Sequence, residues 1–104
     1  MTTNKFGLSF ETIEKIQNVL SRFPKVKKAI IYGSRATGSF REGSDIDLTL
    51  EANDLSYSEK IRIEIELDDL LLPYKIDLSD YSKIENEDLR NHIQSVGQVF
   101  YFNP

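Results

Sequence analysis

The chain of 104 residues contains no cysteine, which excludes a disulfide framework and any cysteine-based zinc site. It has no apolar run approaching the roughly 20 residues that a membrane-spanning helix needs. The opening stretch, MTTNKFGLSFETIEK, lacks the apolar core of a secretory leader, so a cytoplasmic protein without membrane contact is expected. Excess positive charge is also missing. With 17 acidic against 13 basic residues the net charge is -4, which argues against tight, sequence-independent binding to nucleic acid. Internal repeats and low-complexity tracts are absent.

What remains is ordinary for a water-soluble, folded protein: 39% apolar and 29% charged residues, in a length that suits one domain spanning residues 1–104. An acidic chain that handles an anionic substrate needs local help. Bound cations, a few placed Arg or Lys side chains, or backbone N–H groups at a helix start can supply it.

Apolar positions Phe10, Ile13, Ile16, Val19, Leu20 and Phe23 recur at three- and four-residue steps, which predicts a helix over residues 8–23 capped by Ser9 and ended by Pro24. Val26 to Tyr32 is a β-branched run that reads as a strand broken by Gly33. Residues 34–44 form a Gly, Ser, Thr and Arg loop with room for one helical turn around Arg35 to Thr37. Asp45 to Glu51 alternates, with Ile46, Leu48 and Leu50 on one face and Asp45, Asp47, Thr49 and Glu51 on the other. Residues 58–72 fit strand or helix. Length, charge content, the Ser56 to Glu59 capping box and Pro73 as a stop favour a helix with Ile63, Leu67, Leu70 and Leu71 inward. A strand follows over residues 74–79, then a helix over about residues 87–96, capped by Asn86, with Leu89, Ile93 and Val96 inward and Gly97 at its end. This order predicts an α/β (α+β) protein with a small mixed sheet flanked by helices.

Asp45 and Asp47, at i and i+2 on one strand, place two carboxylates within reach of one hard cation. Magnesium takes such oxygen ligands, together with phosphate oxygens and water. If the strand bearing Asp77 pairs beside them, three carboxylates would bracket two ions, as in-line phosphoryl transfer requires. Upstream, Gly33 lets a phosphate approach the backbone, while Ser34 adds a hydroxyl donor and Arg35 a charged one. Arg41 and Ser44 lie in a loop that could fold over a triphosphate. Taken singly, each piece has a plainer reading: a solvated strand edge, a turn, a surface aspartate.

Their order and spacing carry more weight. Gly33-Ser34, ten intervening residues, then Asp45-Ile46-Asp47 resembles the signature of the minimal nucleotidyltransferase (MNT) proteins of the DNA polymerase β superfamily. The likeness is sharpest over Ile30 to Leu50 and continues through Tyr74 to Leu78, which resembles the strand bearing the family's third carboxylate. The resemblance implies a polymerase β-like fold, with the nucleoside triphosphate bound at Gly33 and Ser34. It makes Asp45, Asp47 and Asp77 ligands of magnesium, and Asp77 also a candidate general base. It further implies ATP as substrate, and a small helical HEPN-type partner in a homo- or hetero-oligomer. In antitoxins of this type, AMP is transferred from ATP to a tyrosine of the toxin. Two alternatives stay open: a nucleotide-binding module acting by complex formation, and a subunit that modifies a small molecule.

Other conspicuous residues receive plainer expectations. His92, the only histidine, reads as a surface residue, and Tyr32 as packing. The aromatic tail Val99 to Phe102 fits either a docking contact or an ordinary last strand.

Overall fold

The computed structural model describes residues 4–104. It opens with a hairpin that has no counterpart in the sequence reading, in which β1 (Asn4–Lys5) pairs antiparallel with β2 (Leu8–Ser9). Helix α1 (Phe10–Ser21) follows, and Ser9 caps it by accepting the Thr12 N–H at 3.1 Å. Ile13, Ile16, Val19 and Leu20 are buried as the spacing predicts. Phe10 is not: it is 61% exposed, because the hairpin delivers Leu8 to the core beside the first turn instead.

Four strands form the main sheet: β3 (Val26–Tyr32), β4 (Ile46–Ala52), β5 (Ile76–Asp80) and β6 (Gln98–Phe102), in the order β5-β4-β3-β6. β3 runs antiparallel to β4 and β6, whereas β4 and β5 are parallel, so the sheet is mixed as expected. A parallel pair requires a crossover. Here it is α3 (Tyr57–Asp68), which settles the ambiguous segment as a helix. Ser56 accepts the Glu59 N–H, and Glu59 accepts the Ser56 N–H at 3.1 Å, completing the capping box. Ile63 and Leu67 turn inward, while Ile65 is 53% exposed. The strand-like alternation of isoleucines is thus shared between two faces of one helix.

α3 stops at Asp68, four residues earlier than expected, and not because of Pro73. Leu71 takes a left-handed φ of 54° and is 88% exposed, so it leaves the inward face assigned to it. α4 (Glu87–Val96) has the expected Asn86 cap, although only Ile93 among its three inward candidates is fully buried. A 3-10 turn, Tyr81–Lys83, precedes it.

The core lies between the sheet and the α1/α3 layer. Ile46, Leu48 and Leu50 of β4 are all 0% exposed there, each contributing about 1.5–3 kcal/mol by burial. Because side chains alternate along a strand, burying these three turns Asp47, Thr49 and Glu51 to the opposite face, which α4 only partly covers. Among the described residues no helix is long and apolar enough to cross a membrane.

Candidate active site

Register brings the separated sequence pieces together. In the parallel pair, Asp47 stands opposite Asp77, and in the antiparallel pair it stands opposite Tyr32, the residue before Gly33. Asp45 lies just before β4, exposed, rather than within the strand as the alternation suggested. The ends of β3, β4 and β5 therefore hold Gly33, Asp45, Asp47 and Asp77 in one neighbourhood.

Gly33 starts the four-residue α2 (Ser34–Thr37) with φ 72° and ψ -154°, a conformation confined essentially to glycine. Its bonded turn begins where Ala36 N–H donates to Gly33 O at 3.1 Å, so the amides of Ser34 and Arg35 precede the first bonded one. A Cβ at Gly33 would overlap Asp47 Oδ2. The turn and the carboxylate are thus in direct apposition.

The electrostatics agree with this crowding. Burial pushes the Asp47 carboxyl above its usual range, the Asp77 and Asp45 carboxylates push it further, and His92 opposes them. Tyr32 is raised by burial, with Asp47 and Asp77 adding to the rise. The half-buried Ser79 hydroxyl on β5 offsets part of that rise. His92, exposed on α4, meets Tyr32 edge-on with ring centroids 6.2 Å apart. Sequence reasoning left this residue out of the site. Nothing in the local pattern around position 92 separates it from a solvated helix face, and only the packing of α4 over β3 brings it here.

Two positions expected at the nucleotide have partners within the chain. Arg35 is 3% exposed, and its guanidinium points inward, donating to Ser44 O at 2.8 and 3.1 Å and to Phe6 O at 2.9 Å. It is also sandwiched near the rings of Tyr74 (4.8 Å) and Phe40 (5.2 Å). The guanidinium is a pin that ties the loop to the hairpin. Ser44 Oγ accepts the Arg41 N–H at 2.8 Å, closing a turn within the loop.

Among the described residues, no three carboxylate or imidazole groups converge as a ready-made metal cage. The donor set nevertheless suits a hard cation: carboxylates on adjacent strands, with the ionisation of Asp47 opposed by its neighbours, beside a turn kept clear of any side chain. Two clefts of about 330 and 310 Å3 open further along the same sheet face, around Glu51 and Tyr81, and neither includes these carboxylates.

A mixed sheet that sets a glycine-opened helical turn against carboxylates on neighbouring strands is the fold of a nucleotidyltransferase. The chain belongs to the family described as Polymerase beta, Nucleotidyltransferase, which it matches over residues 14–103. No curated protein matches it. Among solved structures, it is similar to a chain of a toxin–antitoxin crystal structure with AMP-PNP, at 24% identity and a TM-score of 0.71, over 88% of this chain and 73% of that one. It is also similar to a chain from a complex of tri-AMPylated Shewanella oneidensis HEPN toxin with MNT antitoxin, at 20% identity and a TM-score of 0.66, over 89% and 71% of the two chains. A candidate nucleotidyltransferase from Sulfolobus solfataricus shares the fold at 20% identity and a TM-score of 0.56, over 88% and 77%.

Proposed function

We propose that this chain transfers a nucleoside monophosphate, AMP from ATP, to a hydroxyl on a partner protein, a tyrosine of a helical HEPN-type toxin. The observation that carries the reading is the register that sets Asp47 beside Asp77, with Gly33 pressed against the Asp47 carboxylate. The solved complexes with AMP-PNP and with an AMPylated HEPN toxin support the choice of nucleotide and acceptor.

In this reading Gly33 admits the triphosphate to the backbone, and the Ser34 hydroxyl with the leading amides of α2 orients it. Asp45, Asp47 and Asp77 hold magnesium, which when bound neutralises charge on the triphosphate and on the departing pyrophosphate. Asp77, exposed at the edge strand, accepts the proton of the acceptor hydroxyl. The acceptor oxygen then bonds to the α-phosphorus, and the bond to the bridging oxygen of pyrophosphate breaks. Arg35 and Ser44 act indirectly, by fixing the loop that leads into Asp45.

The test is to incubate the chain with its partner, ATP and magnesium, and to weigh the partner. A gain of one or more AMP masses on tyrosine, abolished by Asp45→Asn/Asp47→Asn, is the expected result. An unmodified partner that is nonetheless bound and inhibited would replace this reading with the binding module.

A further inference from the structure

The outer edge of β5 is a second opening that bears on the carboxylates. β5 pairs with β4 on one side, and among the described residues no strand lies along the other. Unpaired backbone groups on such an edge are a template for an added strand. Beside it lies a cavity of about 290 Å3, lined by Tyr57 and Lys60 of α3, Leu78, Ser79 and Asp80 of β5, and Lys83 of the 3-10 turn.

Two lysines against one aspartate make the lining of this cavity net positive. Asp80 is 5% exposed and its Oδ1 already accepts the Ser82 N–H at 3.0 Å and the Ser82 hydroxyl at 2.7 Å. Lys60 pairs with Glu64 at 3.2 Å, but that carboxylate is 43% exposed and such a surface pair exchanges readily. Lys83 Nζ donates to Leu55 O at 3.3 Å and stands 4.0 Å from Asp80 Oδ2, leaving donor capacity on its ammonium. Leu78 and the Tyr57 ring supply apolar surface to the same cavity.

Strand geometry links this cavity to the carboxylates. Leu78 and Asp80 turn toward the α3 layer, whereas Asp77 and Ser79 turn to the face that carries Asp47. A strand laid along β5 repeats that alternation. Its residue opposite Leu78 points into the cavity, and the residue next to it in sequence, opposite Asp77, stands at the site. We propose that, given the protein acceptor inferred above, the β5 edge takes an extended acidic segment of that acceptor, with a carboxylate between Lys60 and Lys83 and the hydroxyl-bearing residue adjacent to it beside Asp77. The acidic side chain lies on the opposite side of the sheet from Asp45, Asp47 and Asp77, so it is spared their repulsion.

Fluorescence anisotropy with a labelled heptapeptide of alternating valine and glutamate around one tyrosine, without nucleotide or metal, tests the edge alone. The acidic peptide is expected to bind and its lysine-for-glutamate counterpart not to. Binding should weaken at least tenfold in Lys60→Glu/Lys83→Glu and several-fold in the size-conserving Lys60→Gln/Lys83→Gln. Absent binding of the acidic peptide, equal binding of the two peptides, or affinity unchanged in both variants would overturn the proposal. ATP titrations on the same samples keep the two ideas apart: peptide binding lost with ATP binding intact indicts the edge, and the reverse indicts the nucleotide site.

Discussion

At position 33 any side chain would collide with the Asp47 carboxylate, and the local φ of 72° disfavours one as well. Gly33→Ala is therefore expected to lose stability by about 1–3 kcal/mol through backbone conformation alone, and to abolish ATP binding by displacing Asp47. Chemical denaturation and ATP titration read the two effects, and an alanine variant with wild-type affinity would refute the apposition. Asp47 carries the opposite sign. Its proton affinity is raised in the folded state by burial and by Asp77 and Asp45, so ionising it costs stability. That cost is absent below its ordinary value of 3.8, grows as pH rises through the raised folded value, and is constant above. Asp47→Asn should thus melt a few degrees higher than wild type at pH 7 in chelator, with the difference gone at pH 3, although its activity is lost. A lower melting point for the variant at pH 7 would contradict the crowding. Arg35 resists conservative exchange, because a lysine cannot reproduce its forked donation to Ser44 O and Phe6 O. Arg35→Lys should cost about 1–3 kcal/mol in urea unfolding, the penalty of stranded buried acceptors, and an unchanged midpoint would make the pin unimportant.

α3 is the element on which the site's register depends, since it is the crossover that sets β5 parallel to β4 and so places Asp77 beside Asp47. Its start is secured by the Ser56 and Glu59 box. Lys25 donates to Glu59 Oε1 at 2.9 Å, and this contact, with the Ser56 hydrogen bonds, holds the Glu59 carboxyl down at about 2. The box is intact above the ordinary carboxyl value of 4.5 and opens as pH falls toward about 2. Ser56→Ala should cost about 1 kcal/mol, which for a chain of this size lowers the melting temperature by roughly 4–8 °C. A shift below one degree in differential scanning calorimetry would contradict a structural role for the cap. That box was legible in the sequence because it is a local pattern over four residues. The early end of α3 was not: Pro73 stood in the right place to stop a helix, yet Leu70 to Tyr74 packs as an irregular link whose path depends on the strand it must reach.

At the scale of the molecule, legibility follows the range of the interaction. Strand β3 announced itself as a β-branched run and β4 by alternation, and Asp47 and Asp77 by lying on polar faces, but their pairing in register is a long-range fact that no window of sequence contains. The short hairpin before α1 escaped because two-residue strands have no periodicity to detect. The burial of Arg35 was hidden for a related reason. A guanidinium in a glycine-rich loop reads as a phosphate donor, whereas its burial depends on Phe6, Phe40 and Tyr74 arriving from three other places in the chain. His92 gained significance only from the packing of α4 across β3, and Tyr32 from that packing together with its pairing opposite Asp47.

The measurement that bears most directly on the central claim is a calorimetric titration of ATP with and without magnesium, on the wild-type chain and on Asp45→Asn/Asp47→Asn. Binding is expected to require magnesium and to disappear in the double variant. Equal affinity with and without the metal, or affinity undiminished by the two substitutions, would contradict it.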